Sequence, residues 1–182
     1  MHKKIIEELI NKYYPKNRPV RNILITHSSL VRDKALSIAQ RHPELQADEN
    51  ILEAGAMLHD IGIILTHAPK IDCYGNNPYI KHGILGSKIL KDNGLDKLAL
   101  IAERHTGAGI SSKEIIKQNL PLPIKDMLAV SVEEKIIAFA DKFYSKGKNL
   151  TYEKTVSEIR KEMENYEKQQ LLRFKDWCEK FC

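Results

Sequence analysis

His59 and Asp60 close an apolar segment, Leu58-His59-Asp60-Ile61-Gly62, and four more potential ligands, His27, His82, His105 and Asp141, stand at helical positions before and after it. Neighbouring residues on a helix point about 100° apart, so the pair cannot share one face, but at a helix end both can lean toward a common centre. Four imidazoles and two carboxylates buried together leave several polar groups without partners unless a metal or protons join them. The pattern therefore suits one metal ion, or two that share the Asp60 carboxylate.

Apolar residues recur at three- and four-residue steps and no stretch alternates convincingly, so the expected class is all-α. One stripe runs through Val20, Ile23, Leu24, His27, Leu30, Val31 and Ile38, and another through Ile51, Leu52, Gly55, Leu58 and His59. A helix over 79–93 sets His82 with Leu85, Gly86 and Ile89 and stops at Gly94, a residue suited to the left-handed C-terminal position. A helix over 95–104 delivers His105 at its end. Ser131 with Glu134, and Ser111 with Glu114, are capping boxes. The first opens a helix that carries Asp141, the second a short helix ending near Asn119, before Pro121 and Pro123. A last helix over 151–181 repeats Val156, Ile159, Met163, Tyr166, Phe174 and Trp177, a packing stripe for the bundle or for a second subunit in a homodimer.

At 182 residues the chain fits a single domain with a core large enough to need no disulfide or structural metal. The core is expected over about 20–146, with an N-terminal helix at 2–14 and the C-terminal helix packed on it. Cys73, Cys178 and Cys182 are too scattered for a disulfide framework or a zinc ribbon and read as bystanders in a reducing compartment. Charged residues come early at the N-terminus and no apolar run approaches ~20 residues, so the expectation is cytoplasmic, with no membrane association. The net charge of +5 comes from 29 basic and 24 acidic residues that are interspersed. That favours small anions and gives no footprint for DNA or RNA. The densest basic run, Lys142, Lys146 and Lys148, directly follows Asp141 and could rim a phosphate-binding mouth.

The order His, His-Asp, His, His, Asp resembles the HD superfamily of metal-dependent phosphohydrolases from about Ile23 to Tyr144. The resemblance implies an HD-domain helical bundle. Two stretches, 103–109 (Glu-Arg-His-Thr-Gly-Ala-Gly) and 132–141 (Val-Glu-Glu-Lys-Ile-Ile-Ala-Phe-Ala-Asp), look like segments of the bacterial diadenosine tetraphosphate hydrolases of that superfamily. Its di-iron oxygenases of the myo-inositol oxygenase type use the same six ligands and supply the alternative reaction. The resemblance implies that His27, His59 and Asp141 hold one ion, that His82 and His105 hold the other, and that Asp60 bridges.

Such a donor set suits two divalent transition metal ions, Fe, Mn, Ni or Zn, better than Mg. Metals ~3.5–4 Å apart can clamp a phosphate and lower the pKa of a bridging water. The expected substrate is accordingly a small phosphorylated molecule, a nucleotide above all. Asp60 is then catalytic as well as a ligand, and Lys81 and Arg104, each beside a ligand in sequence, are candidates for stabilising phosphoryl charge. Many relatives continue as His-Asp-x-Gly-Lys, whereas Ile63 stands at the lysine position here, and His67 or Lys70 in the following loop are the candidate replacements. Thr106, Gly107 and Gly109 follow a helix rather than a strand, which argues against a dinucleotide fingerprint. Their amides, with Lys146, are the remaining substrate-binding candidates.

Overall fold

A computed structural model describes residues 2–147 and 149–182. Lys148 of the basic run and the side chain of His2 lie outside the described residues. Among those residues there are nine α-helices: α1 (His2–Tyr13), α2 (Pro19–Arg41), α3 (Glu49–Leu58), α4 (His82–Lys91), α5 (Asp96–Arg104), α6 (Ser112–Lys117), α7 (Val132–Asp141), α8 (Val156–Met163) and α9 (Lys168–Phe181). The class is all-α, as the periodicity requires.

Local chemistry sets most of the ends. Pro19 opens α2 at a position where its missing N–H is not needed. The Asp48 carboxylate caps α3 by accepting from the amides of Asn50 and Ile51. Gly94 adopts φ +72° after α4, and the amides of Gly94 and Leu95 return to the carbonyls of Lys91 and Leu90, a Schellman closure. The reciprocal Ser111–Glu114 box is formed. At α7 only half of the expected box is: Ser131 accepts from the Glu134 amide, but the Glu134 carboxylate takes the Val130 amide and Arg104 instead.

Two expectations change. The segment after Ile61 is not plain loop. It folds as short 3₁₀ turns and a three-stranded sheet of β1 (Thr66–Ala68), β2 (Cys73–Tyr74) and β3 (Asn77–Pro78), ordered β2-β1-β3. β1 runs antiparallel to β2, pairing His67 with Tyr74, and parallel to β3, pairing Thr66 with Asn77. Strands of two or three residues are too short to show a period of two. The long C-terminal helix is broken in two. A Thr155–Glu158 capping box starts α8 later than expected, and a turn at Asn165 and Tyr166 separates it from α9. The apolar stripe survives the break because Ile159, Met163, Phe174 and Trp177 are all buried, whereas Tyr166 is 57% exposed.

All of these helices but α6 share one apolar cluster that runs from Ile6 in α1 to Phe181 in α9, and Ile115 of α6 packs with Ile110, Leu122 and Met127 in a smaller one. Phe139 of α7 anchors the C-terminal end, its ring centroid 5.4 Å from those of both Phe174 and Phe181. α2, α3, α5 and α7 pack around the centre, with α4 laid on α5. Close approach of α4 to the turn after α3 depends on Gly62, where a Cβ would run into the His82 carbonyl and the Gly86 amide. That contact brings the ends of α3 and α4 together. Among the described residues no helix is long and apolar enough to cross a membrane.

Candidate metal centre

Five elements deliver six ligand groups to one point. His27 comes from the buried face of α2, between Leu24 and Val31. His59 and Asp60 follow the last residue of α3, His82 opens α4, His105 follows α5 and Asp141 ends α7. All are buried: His27, His59 and Asp60 at 0%, His105 at 1%, His82 at 4% and Asp141 at 7% exposure. Helix ends suit this purpose because each lets the chain turn a side chain inward without interrupting a helix.

The same end positions orient three of the rings. Nδ1 of His59, His82 and His105 lies 2.7, 2.8 and 2.8 Å from the carbonyl oxygens of Ala56, Tyr79 and Ala102, each three residues earlier. A carbonyl only accepts, so Nδ1 carries a proton and Nε2 faces the centre, with its lone pair free to bind wherever the ring is neutral. Tyr79 further stacks on His82, with ring centroids 4.8 Å apart and planes at 23°.

The Nε2 atoms sit in two groups about the Asp60 carboxylate. Oδ2 lies 3.3 Å from His27 Nε2 and 3.1 Å from His59 Nε2. Oδ1 lies 3.5 Å from His82 Nε2 and 3.4 Å from His105 Nε2. Asp141 Oδ1 joins the first group, 3.0 Å from His27 Nε2. Each oxygen of one carboxylate thus faces a different pair of imidazoles.

The donor chemistry fits metal ions. Within the second pair, His82 Nε2 and His105 Nε2 stand 3.0 Å apart. With both Nδ1 atoms protonated these are two lone pairs aimed at each other, an arrangement that only a cation or an extra proton can reconcile. Asp60 Oδ1 is buried without a hydrogen-bond partner, and Oδ2 has the Lys146 ammonium 2.6 Å away. Imidazole nitrogen with carboxylate oxygen is the donor set of Fe, Mn, Ni or Zn. The residues suited to one ion are His27, His59, Asp60 and Asp141, and those suited to a second are Asp60, His82 and His105.

Electrostatics divides the cluster in the same way. Burial, and then the neighbouring His105, drives His82 down to about 3, and burial also lowers His105, so both rings are neutral near pH 7. Burial alone would lower His59 too, but the Asp60 and Asp141 carboxylates override it and raise the ring to about 9. Both aspartates stay ionised far below the usual carboxylate range. Burial opposes this, but Lys146 and His59 outweigh it at Asp60, and Lys142 and Lys146 outweigh it at Asp141.

The other expected site residues scatter. Lys146 is drawn fully into the centre, its Nζ 2.6 Å from Asp60 Oδ2 and 3.7 Å from Asp141 Oδ1. Thr106 lies beside His82, with Oγ1 3.5 Å from Nε2. Gly107 and Gly109 adopt φ of +64° and +81°, but the nearby amides are committed within the protein. The Ala108 amide donates to the Gln170 side chain and the Gly109 amide to the Thr106 carbonyl, while Arg173 holds the carbonyls of Ala108 and Gly109. The Ala108–Gly109 end of the turn is therefore clasped to α9, while Thr106 and Gly107 border the larger cavity beside the histidines. Arg104 Nη1 donates to both oxygens of Glu134 at 3.0 Å, at the N-terminal end of α7, whereas Asp141 lies at the other end. Lys81 ends a 3₁₀ turn and does not border the cavities beside the cluster. His67 and Lys70 are exposed and border neither, because Thr66 takes the inward side of β1 and turns His67 outward.

Tyr79, Lys142 and Tyr166 line the cavities next to the ligands instead. Lys142 was visible in the basic run after Asp141. The two tyrosines carry no local signal, since Tyr79 precedes α4 and Tyr166 arrives from the turn between α8 and α9.

Comparison with known proteins agrees with this arrangement. The chain is 36% identical over 151 residues to an uncharacterised protein of Methanocaldococcus jannaschii, covering 81% of each. It is also 36% identical to tRNA (cytidine(56)-2'-O)-methyltransferases of Picrophilus torridus and Thermoplasma volcanium, over 86% and 76% of this chain. The chain spans only 39% and 36% of those two longer proteins. The crystal structure of the L. monocytogenes phosphodiesterase PgpH HD domain shares the fold at a TM-score of 0.54 and 20% identity, covering 93% of this chain and 94% of that one. Residues 24–145, which hold all six ligands, match the HD domain, and the chain belongs to the HD-domain family.

Proposed function

We propose that the protein is a metal-dependent phosphohydrolase acting on a nucleotide or other small phosphoester. The observation that carries this reading is the division of the Asp60 carboxylate between two imidazole pairs, with Asp141 on one side and two lysines at the mouth. His27, His59 and Asp141 would hold one divalent ion, His82 and His105 the other, with Asp60 between them. Ions bound there supply Lewis acidity to a phosphoryl oxygen and lower the pKa of water. The chain's own part is to fix the donors: three backbone carbonyls hold three imidazoles in the Nδ1–H form.

Cavities of about 310 and 190 Å³ adjoin the ligands. The larger is within the range of about 300–1,000 Å³ common for small-molecule sites. Within this reading, a dinucleoside polyphosphate such as diadenosine tetraphosphate is the finer candidate suggested by the segments around His105 and Asp141.

Anaerobic assay of Mn-loaded protein against nucleotides and phosphoesters tests the proposal. Phosphate release that is abolished in Asp60→Ala is the expected result. No release from any substrate, together with substrate-dependent O₂ consumption by the Fe-loaded protein, would replace it with the di-iron oxygenase reading.

A further inference from the structure

The cleft beside the ligands has two lobes of opposite character. One is floored by His82 and His105 and walled by Ile80, Ile110 and Leu120. The other is lined by Lys142, Lys146 and Lys154. Asp141, Lys142 and Lys146 border both lobes, so a phosphate at the ligands would meet the lysines at the junction.

These two lysines are unusually enclosed, with side chains 18% and 14% exposed, where lysine is ordinarily solvated. Lys142 Nζ lies 2.8 Å from Asp141 Oδ2. Lys146 Nζ lies 2.6 Å from Asp60 Oδ2, the oxygen that also faces His27 and His59. Lys146 and a divalent ion therefore compete for one carboxylate oxygen, and the ion, with twice the charge and nitrogen donors beside it, wins. The ammonium is then left at the mouth without its partner. Two aspartates and two lysines cancel in charge, so two divalent ions leave an excess of about four positive charges in a poorly solvated cleft.

Such an excess ranks substrates. A phosphomonoester near pH 7 carries close to two negative charges on three free oxygens, whereas a phosphodiester carries one charge on two. Two ions held by these residues would take up two phosphoryl oxygens. Only the monoester has a third oxygen to offer the lysines, and a diester would place its second ester group there.

Resting on the phosphohydrolase reading, we propose that Lys146, released by metal binding, and Lys142 form an anion clamp that selects phosphomonoesters over phosphodiesters, with the apolar or aromatic group of the ester in the lobe of Ile80, Ile110 and Leu120; a clamp of this kind favours a nucleoside monophosphate over a dinucleoside polyphosphate, whose phosphorus atoms each have only two free oxygens. The reaction is hydrolysis. The oxygen of water bonds to phosphorus, the phosphorus–oxygen ester bond breaks, and a proton from the water passes to the leaving oxygen, giving the alcohol and inorganic phosphate.

The test uses Mn-reconstituted full-length protein, wild type and the Lys142→Met, Lys146→Met double variant, with p-nitrophenyl phosphate and bis(p-nitrophenyl) phosphate. Calorimetric titration with inorganic phosphate and with Mn accompanies the assay. Charge-assisted hydrogen bonds of this kind are each worth about ten- to a hundredfold. The monoester-to-diester ratio of kcat/KM should fall about a hundredfold in the double variant, and phosphate affinity should fall by a similar factor. Mn should bind at least as tightly as in wild type, because a competitor is gone. Lys146→Arg, which keeps the charge, should recover most of the phosphate affinity. An unchanged ratio, or unchanged phosphate binding, overturns the clamp. Wild-type protein that binds Mn and phosphate but hydrolyses neither ester defeats the phosphohydrolase reading instead, and the phosphate titration still decides the role of the lysines.

Discussion

The Tyr14 hydroxyl donates to the carbonyl oxygen of Ile61 at 2.7 Å and accepts from the Ile64 amide at 3.3 Å, tying the end of α1 to the turn that follows the His59-Asp60 pair. Tyr14 lies outside the stretch that matches the HD domain, is fully buried, and burial holds its phenol well above the usual tyrosine range. The contact stiffens the backbone that aims Asp60.

Tyr14→Phe keeps the ring and removes both bonds. It leaves the Ile61 carbonyl and the Ile64 amide without a partner, at a cost of about 1–3 kcal/mol. Thermal unfolding should show a lower midpoint with and without metal, and two ions should still bind. An unchanged midpoint would show that the turn is held by packing alone.

The His82→Ala, His105→Ala double variant should bind about one metal ion per chain and lose hydrolysis, because His27, His59, Asp60 and Asp141 form a complete group without them. Asp60→Ala should lose most of both ions, since its two oxygens face different histidine pairs. His42→Ala should lose none, because that ring pairs with Glu44 at the end of α2. Elemental analysis of the three purified variants decides between these outcomes. Two ions retained by the double variant would make His82 and His105 packing residues.

The clustered histidines and aspartates were legible in the sequence as candidate ligands because each is a polar residue placed where an apolar stripe or a helix end demands burial. Leu24-x-x-His27 and Leu58-His59-Asp60 signal that conflict locally. Substrate contacts were less legible. His67 and Lys70 are near Asp60 in sequence, but a three-residue strand turns His67 to solvent. Tyr166 reaches the cleft only because the last helix breaks, and the cue for the break, a capping box at Thr155 and Glu158, lies inside what reads as one continuous stripe. Arg104 shows the limit of adjacency. It neighbours His105, yet one residue along a helix is about 100° around it, enough to aim it at Glu134.

Arg104→Gln should therefore lower stability more than turnover. The pair with Glu134 is largely buried, with side chains 21% and 6% exposed, and removing one partner from such a pair costs up to about 3–5 kcal/mol. The Val130 amide still donates to the Glu134 carboxylate, so the loss should fall toward the lower end. Chemical denaturation should show the destabilisation, while kcat of the folded, metal-loaded variant stays within a few-fold of wild type. A drop in kcat of a hundredfold or more at full metal content would restore Arg104 as a group acting on phosphoryl charge.

Metal-free protein should be most stable near pH 6.5, through two histidines that pull in opposite directions. His82 is held down at about 3, below the unfolded value of about 6.5. As pH falls below about 6.5 the unfolded chain takes up a proton that the folded chain refuses, so stability declines toward pH 3. His59 is raised to about 9. Its contribution is fully present below about 6.5 and is lost as pH rises through 9, because the folded state then gives up a proton the unfolded state has already released. Each histidine contributes a slope of at most about 1.4 kcal/mol per pH unit, and His105, which burial also lowers, adds to the acid limb. Saturating Mn should abolish the alkaline limb, since a ligating His59 has no proton to lose, and metal binding above pH 7 should release that proton to solution. Urea denaturation between pH 4.5 and 9, with chelator and with Mn, measures both limbs. An alkaline decline of equal slope in the two series would mean that His59 is not a ligand.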